Sequence, residues 1–365
     1  MKKQLFVVTT IALLASSATF AQSGLTLYGN VDASVVSTSD IGPTSERRTS
    51  FGEGNWAASV WGVKGTEDLG GGMRAHFRLE GGFNSGNGAI ANGGTTGLFS
   101  RMANVGLSGP FGSFTAGLNL SPFIAAYTST LGLAGNNFYV PALLLHGGGT
   151  VLTPLGATVS AASGGADADP ALGTTGGFFI PNSLTYSLPA ELLQGVTGSV
   201  MYAFGGVPGD SERNSFISAN VGYAFGDLNV VAAATERDAQ YKQFLVGASV
   251  PVGPMKLAAN VVRFNPETGT TTNTYVVGAA IKPMPNASVG INYARNDGTG
   301  DPSIVNLSGV YALSKTSNIY VAFNHATDGA FSSYSGLVDA SVSPLTLSQT
   351  GSKSNAFMIG MQKGF

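Results

Sequence analysis

The residues that carry chemistry in most proteins are scarce in this chain. There is no cysteine, so disulfides, thiolate nucleophiles and zinc–cysteine sites are excluded. The three histidines, His76, His146 and His325, share no metal-ligand spacing. Serines are abundant, so a Ser–His hydrolase remains a third hypothesis, although no motif singles out one serine. The sequence therefore indicates no cofactor and gives catalysis little support.

The chemistry that remains is electrostatic. Between residues 73 and 80, charged or polar side chains alternate with apolar ones, so one face of this segment is hydrated and the other apolar. The same alternation places further charges on the polar faces of other segments. The residues that we predict on a charged wall are Asp32, Lys64, Arg74, Arg78 and Glu80. Fixed charges that line a narrow, water-filled passage select which ions enter it.

A structural role for these residues is the alternative. Arg78 and Glu80 are two positions apart on one face and could form an ion pair. Lys64 and Arg74 could likewise pair with Glu80 or Glu67, tying strands together, or lie at a subunit contact. If the three cations face a lumen instead, they favour anions modestly.

Alternation between apolar and polar residues recurs along most of the chain and predicts the elements that carry these charges. The first segment is the clearest case, since Leu25 and Leu27 fall on one face and Thr26 and Tyr28 on the other. Short turns and longer polar loops separate successive segments, which is the layout of an outer-membrane barrel. The sixteen predicted strands are 24–35, 55–66, 73–83, 100–108, 113–119, 182–188, 196–204, 214–225, 228–236, 241–250, 255–264, 273–282, 287–295, 303–314, 317–325 and 355–365.

We therefore predict an all-β fold, a transmembrane antiparallel β-barrel of 16 strands. An even number of strands lets both chain ends meet on one side, and closure leaves no unpaired edge in lipid. A soluble β-sandwich is the alternative, because alternation also suits one buried and one wet face. Aromatic residues near strand ends argue for the barrel, as they form interfacial girdles. These residues are Tyr28, Trp61, Tyr223, Tyr275, Tyr293 and Tyr311.

The first residues predict export from the cytoplasm. Lys2 and Lys3 precede a short apolar run and a small-residue cleavage site that ends at Ala21, the pattern of a secretory signal. We expect residues 1–21 to be a signal peptide and 22–365 to form the barrel. Losing two lysines from 18 basic residues leaves 16 against 20 acidic ones, a net charge of −4. This balance argues against a nucleic-acid partner.

One stretch interrupts the strand pattern. Between 102 and 190 the only charged side chains are Asp167 and Asp169, and from 122 to 181 no strand period is clear. A segment of this length without regular elements is uncommon in a compact domain unless it is a functional loop. We expect a long loop folded into the barrel mouth, where the two aspartates could oppose the basic wall or merely be solvated. Its apolar residues, which could form a constriction that impedes ions by dewetting, are Phe138, Tyr139, Leu143, Leu144 and Leu145.

Five segments carry a family pattern. They are LTLYGNVDA at the start of the mature chain, WGVKGTEDLGGGMRAHFRLEGGFN at 61–84, NVGLSGPFGSFTAG at 104–117, VYALSKTSNIYV at 310–321 and GMQKGF at the end. On these segments the chain resembles the Gram-negative trimeric general porins of the betaproteobacterial type. The resemblance covers both termini and most hairpins, but not residues 122–181.

The resemblance implies a 16-stranded homotrimeric barrel whose third loop folds inward to narrow each pore. It further implies the Gram-negative outer membrane as location, outer-membrane lipid and lipopolysaccharide as surroundings, and small hydrophilic solutes as cargo. The last strand would carry the signal read by the barrel-assembly machinery, with Lys363 interrupting its apolar face. The residues of that signal would be Phe357, Ile359, Met361 and Phe365.

Three positions depart from the family pattern toward neutrality. Val60 and Gln362 stand where the family usually has arginine, and Gly117-Leu118-Asn119 replaces its common Gly-Arg-Gln. We therefore predict an outer-membrane porin for passive diffusion with a weak anion preference to near neutrality. The alternative is a barrel largely plugged by its apolar loop, acting as a structural or surface-interaction protein.

Overall fold

The computed structural model describes residues 24–41, 46–90, 97–131, 179–189, 194–298, 301, 303–327 and 353–365. Its strands are β1 (Gly24–Ile41), β2 (Glu46–Glu53), β3 (Val60–Gly70), β4 (Met73–Gly82), β5 (Met102–Gly109), β6 (Gly112–Leu120), β7 (Phe179–Ser187), β8 (Val196–Ala203), β9 (Phe216–Phe225), β10 (Leu228–Arg237), β11 (Tyr241–Val252), β12 (Met255–Pro266), β13 (Thr272–Met284), β14 (Ala287–Asn296), β15 (Ser303–Ser314), β16 (Ser317–Thr327) and β17 (Lys353–Gly364). One helix, α1, spans Pro122–Ser129. Within the described residues, no helix has the length and apolar character needed to cross a membrane.

The strands form one closed antiparallel sheet. Apart from β2 and β3, strands that follow one another along the chain pair with each other, and β1 closes the ring by pairing with β17, as between Ala33 and Met361. On its other side β1 pairs with β3 through residues 24–30 and with β2 through residues 33–41, so β2 and β3 share one position in the ring. The 17 segments therefore make the predicted barrel of 16 strands. Closure removes the two open edges that an unclosed sheet would present to lipid.

The predicted alternation separates two faces of the barrel wall. Outward positions carry large apolar side chains that are well exposed, for example Leu25 at 69% and Val246 at 62%. Inward positions carry buried and often polar side chains, such as Asp32 and Asn260. Apolar surface exposed to water costs about 25 cal/mol per Å² of free energy. Contact with the hydrocarbon chains of lipid avoids this cost. The outward face therefore fits a lipid bilayer.

The two ends of the barrel differ in the length of their connections. At the end that holds Gly24 and Phe365, strands join through tight turns, as at Gly226 and Gly253. Both glycines have positive φ angles, which cost glycine little. At the other end the connections are longer, notably between β4 and β5 and between β6 and β7. This confirms the predicted layout of short turns and longer loops that is typical of an outer-membrane barrel.

A helix begins at Pro122, where the sequence pattern predicted no regular element. Proline suits this first turn because its missing N–H would be unpaired anyway. The Phe123 N–H donates to Ser218 Oγ at 3.1 Å, and Asn220 Nδ2 donates to the Pro122 carbonyl at 2.7 Å. Ser218 and Asn220 are inward-facing residues of β9, so α1 lies inside the barrel, in contact with β8 to β11. Eight residues are too few for a helical period to stand out in sequence.

Most predicted strands agree with the observed ones to within a few residues, but the strand predicted at 55–66 is observed at Val60–Gly70. No strand was predicted between residues 35 and 55, but this stretch contains the end of β1 and the whole of β2, whose Phe51 pairs with Val35. Tyr28, predicted in the aromatic girdle, faces inward, since it pairs with inward Gly62 and follows outward Leu27. The predicted signal peptide, and residues 132–178 of the predicted inward loop, lie outside the described residues.

Candidate pore wall

Charged side chains on the inner face of β3 and β4 and of the approach to β5 converge on Glu80. Arg78 Nη2 donates to Glu80 Oε2 at 2.5 Å, and Arg101 Nε donates to Oε1 at 2.8 Å. The Tyr28 hydroxyl donates to Oε2 at 2.8 Å and accepts a bond from Arg78 Nε at 2.7 Å. Lys64 Nζ lies 5.3 Å from the centroid of the Tyr28 ring. We call Tyr28, Lys64, Arg78, Glu80 and Arg101 the basic wall.

Strand register and one glycine bring these groups together. Lys64 and Arg78 are direct cross-strand partners, so their side chains point to the same face. Gly62 lies between Tyr28 and Glu80 in the sheet. A Cβ on Gly62 would come within 2.8 Å of the Tyr28 hydroxyl oxygen. The missing side chain thus allows Tyr28 to lie across β3 and reach Glu80 on β4.

The basic wall links neighbouring strands through ion pairs and also carries a net positive charge. Glu80 is only 3% exposed, and a carboxylate so buried is costly unless it is paired. Arg78 and Arg101 bond this one carboxylate, and Lys64 lies over the ring of Tyr28, which leaves two positive charges uncompensated within the group. The side chains of Arg78 and Arg101 are 41% and 22% exposed, so both still reach water. The wall can therefore hold the strands in register and attract anions at the same time.

The ion pairs that we gave as the structural alternative to a lumen role are formed only in part. Arg78 pairs with Glu80, whereas Glu67 pairs with Ala75 in the sheet and lies on the outward face. Arg74 lies on the inward face near the end of the barrel that has the short turns, opposite Asp68, and is exposed. Among the described residues no ion pair involves Arg74. The lumen role that we predicted for Lys64, Arg74, Arg78 and Glu80 stays a prediction.

Asp32, also predicted on the charged wall, is completely buried on the inner side of β1. Its carboxylate accepts hydrogen bonds from the Tyr320 hydroxyl at 2.7 Å and from the Asn55 backbone N–H at 3.1 Å. Tyr320 crosses β17 at Gly360, where a Cβ would overlap its ring. Trp56 stacks on Tyr320 with ring centroids 5.2 Å apart. Asp32 therefore fastens the segment between β2 and β3 to the inside of the barrel, and we call this group the Asp32 clamp.

A large apolar cluster lies on the inner face of β10 to β17. α1 adds the buried Phe123, Ile124 and Tyr127 to it. The wall residues of this cluster are Val231, Ala233, Leu245, Val262, Val276, Ala294, Ile304, Tyr320, Ala322, Ala326, Ala356 and Met358. Burial raises the pKa of the Tyr127 phenol, which has no hydrogen-bond partner in the described part of the chain. Tyr127 therefore stays neutral and contributes to an apolar surface.

Uncharged amides complete this side of the wall. Asn292 Nδ2 donates to Asn306 Oδ1 at 3.3 Å, and Asn306 Nδ2 donates to Asn324 Oδ1 at 2.6 Å. The three residues are cross-strand partners on β14, β15 and β16, so they form a ladder on the inner face. The neutral Val60 and Gln362 also face inward, and Gln362 accepts a bond from Asn318.

The terminal strand closes the barrel with its predicted apolar face outward. Phe357, Ile359, Met361 and Phe365 are all exposed on that face. The backbone of Phe365 exchanges two hydrogen bonds of 3.1 Å with Gly29, which joins the two ends of the chain. A Cβ on Gly29 would overlap the Phe365 ring, so this glycine makes room for the ring.

Two predicted lumen residues, Asp167 and Asp169, lie outside the described residues, as do the apolar residues 138–145. Sequence reasoning missed Arg101, although it is the last charge before the uncharged stretch and precedes Met102, the partner of Glu80. It also missed the contact between Asp32 and Tyr320, because the two residues are 288 positions apart. Within the described residues, no cluster of three or more His, Cys, Asp or Glu side chains could hold a metal ion.

Comparison with known proteins decides the family. The sequence profile described as "Gram-negative porin" matches residues 8–330. The chain is 30% identical over 338 residues to the outer membrane porin protein 32 of Delftia acidovorans, with 88% of each chain covered. The chain belongs to the Gram-negative porin family. As a family member this porin is placed in the outer membrane of Gram-negative bacteria.

Further similarities agree with this assignment. This porin is 39% identical over 119 residues to an outer membrane porin protein of Bordetella pertussis, a match that covers 29% of this chain and 30% of the relative. Its fold matches that of an anion-selective porin from Comamonas acidovorans, with a TM-score of 0.71, 24% identity, and 94% and 100% of the two chains covered. A Salmonella typhi OmpF structure matches with a TM-score of 0.60 and 16% identity over 94% and 98% of the chains. At these identities the structural matches support the barrel fold.

Proposed function

We propose that this porin is a water-filled channel for passive diffusion of small hydrophilic solutes and ions, with a weak anion preference. The observation that carries the proposal is the basic wall, in which two arginines bond one carboxylate on the inward face and Lys64 lies over the ring of Tyr28. Arg78 and Arg101 remain partly exposed there. A similar fold belongs to a porin described as anion-selective. Arg74 adds positive charge near the periplasmic mouth.

We further propose that the third loop, which begins with α1, continues inside the lumen and narrows it. The support is that α1 is hydrogen-bonded to inward-facing β9 and packs on an apolar inner face. In this proposal Asp167 and Asp169 face the basic wall across the passage. The extent of the buried apolar cluster also favours the second candidate function, a barrel whose pore is largely plugged.

Several finer expectations form part of the proposal. Residues 1–21 act as a signal peptide, and the mature chain assembles as a homotrimer surrounded by outer-membrane lipid and lipopolysaccharide. The outward apolar face of β17 is read by the barrel-assembly machinery. No enzymatic activity is expected. The side-chain partners of the two described histidines are neutral residues of the wall: His76 contacts Thr115, and His325 contacts Asn355.

Swelling of proteoliposomes in isotonic sugar solutions distinguishes an open diffusion channel from a barrel whose pore is largely plugged. Vesicles with the folded porin should swell in small sugars, at rates that fall with solute size. Deleting residues 140–175 should raise these rates moderately if the loop narrows an open pore. A wild-type protein that gives no swelling, together with a deletion variant that gives rapid swelling, would identify a plugged barrel. Folded protein that gives no swelling in either form would overturn the channel proposal.

A further inference from the structure

A cavity of about 350 Å³ lies between α1 and the inner face of the wall, and it is partly open. The helix supplies one side through residues 125–129, and strands β8 to β10, with the end of β7, supply the other. We call this cavity the neutral niche, since none of the described residues that line it is charged. Its polar lining residues are Ser129, Ser187, Thr197, Ser199, Asn220 and Asn229.

Strand register arranges the polar groups of the niche in rows. Ser187 pairs with Ser199 across β7 and β8, and Ser199 pairs with Asn220 across β8 and β9. Two residues earlier on β8, Thr197 pairs with Gly222. Cross-strand partners point to the same face, so the hydroxyls and the amide face the same space beside α1.

Some of these groups build the niche, and others are available to a ligand. Asn220 is fully engaged, because it donates to the Pro122 carbonyl at 2.7 Å and accepts from the Ser199 N–H at 3.0 Å and hydroxyl at 3.1 Å. Thr197 is exposed, and Asn229 is half-buried. Within the described part of the chain, neither the Thr197 hydroxyl nor the Asn229 amide makes a side-chain hydrogen bond, so both can bond a solute.

The rest of the lining is apolar. Ala125 and Ala126 of α1 and Val231 of β10 are its apolar side chains on the inner face. Gly222 also lines the cavity, and because it has no side chain the Thr197 hydroxyl and Val231 can lie close to it. A site with apolar walls and a few fixed hydroxyls and amides suits a ring that carries hydroxyls on its rim and C–H groups on its faces. An ion gains nothing there to offset its lost hydration.

We propose that the neutral niche is a binding subsite for neutral polyhydroxylated solutes, of the size of a sugar monomer. The proposal rests on the proposed function, because the solute must reach the niche through the lumen. Binding is weak, since a diffusion channel must release what it binds. Each hydrogen bond contributes roughly a two- to tenfold change in affinity. Sugars and anions would then use different sides of the same lumen.

Two substitutions alter the niche without touching the basic wall. Thr197→Val removes the hydroxyl and keeps the shape. Gly222→Ala adds a methyl group that would lie 2.7 Å from Thr197 Oγ1 and 3.5 Å from Val231, inside the niche. Matched controls exist for both. Thr66→Val changes an exposed inward threonine on β3, and Gly309→Ala adds a methyl group on β15 whose nearest neighbours lie at 3.7 Å or more.

The test records ion current through the folded wild-type porin in planar bilayers while glucose is added. We expect a saturable decrease in current, with a half-saturating concentration that rises roughly two- to tenfold in both niche variants and is unchanged in both controls. A decrease that never saturates, or equal behaviour of all five proteins, would overturn the subsite. If the wild type folds but carries no current, the proposed function fails. Saturation-transfer NMR with glucose and detergent-solubilised protein then tests the niche alone, and no transfer to the sugar would overturn it.

Discussion

Removing the Lys64 charge should reduce the anion preference by a calculable amount. The basic wall carries Lys64, Arg78 and Arg101 against Glu80, a net charge of two. For a monovalent ion about 10 Å away in water, two charges give about 0.8 kcal/mol, which screening at about 0.1 M salt lowers to about 0.3 kcal/mol. Anions gain this energy and cations lose it, so the chloride-to-potassium permeability ratio is about 3. Lys64→Met halves the net charge and lowers the ratio to about 1.7.

The assay is the reversal potential in a tenfold KCl gradient with about 0.1 M on the concentrated side. Its magnitude should fall from about 22 mV to about 11 mV, the values that follow from the two ratios. Lys363→Met is the matched control, because Lys363 lies on the outward face and donates to Thr316. A Lys64 variant with the wild-type reversal potential, or a control with an equal shift, would refute the assignment of the wall to the ion path.

Two further predictions concern stability and closure. Tyr320→Phe removes a donor from the buried Asp32 carboxylate, so the free energy of unfolding should fall by about 1–3 kcal/mol, measured by denaturant unfolding from lipid vesicles; an unchanged value would mean that the Asp32 clamp is not needed. Gly29→Ala brings a methyl group into overlap with the Phe365 ring and should lower the yield of folded barrel on gels without heating. Gly24→Ala, with nothing within 4 Å, should fold normally, and equal yields would contradict this account of closure.

The barrel could be predicted from sequence because its determinants are local. Each strand alternates with a period of two, and each tight turn carries residues that mark it, as at Gly226-Asp227 and Lys315-Thr316. Strand β2 escaped notice because Arg47 and Arg48 stand side by side and obscure the alternation. Helix α1 escaped because its packing inside the barrel, rather than an amphipathic period, holds it.

The alternation of residues along each strand predicted which side chains share the face of the candidate wall. It did not predict the contacts that these side chains make. Alternation placed Lys64, Arg78 and Glu80 on one inward face, as the sheet register has them. It could not separate Asp32, which is buried under Tyr320, from residues that reach water. The burial of Asp32 depends on its contact with Tyr320, which reaches it across β17 where the barrel closes. The neutral niche is likewise formed by four strands and a helix, none of which carries a motif for it.

The central claim, an open channel with a weakly anion-attracting wall, is tested most directly by single-channel recording of the purified folded porin in a KCl gradient. We expect stepwise conductance, in groups of three if the trimer forms, and a reversal potential displaced modestly toward the chloride equilibrium potential. Folded protein that inserts but gives no steps would contradict the channel. Steps with a strong displacement toward the potassium equilibrium potential would contradict the role of the basic wall.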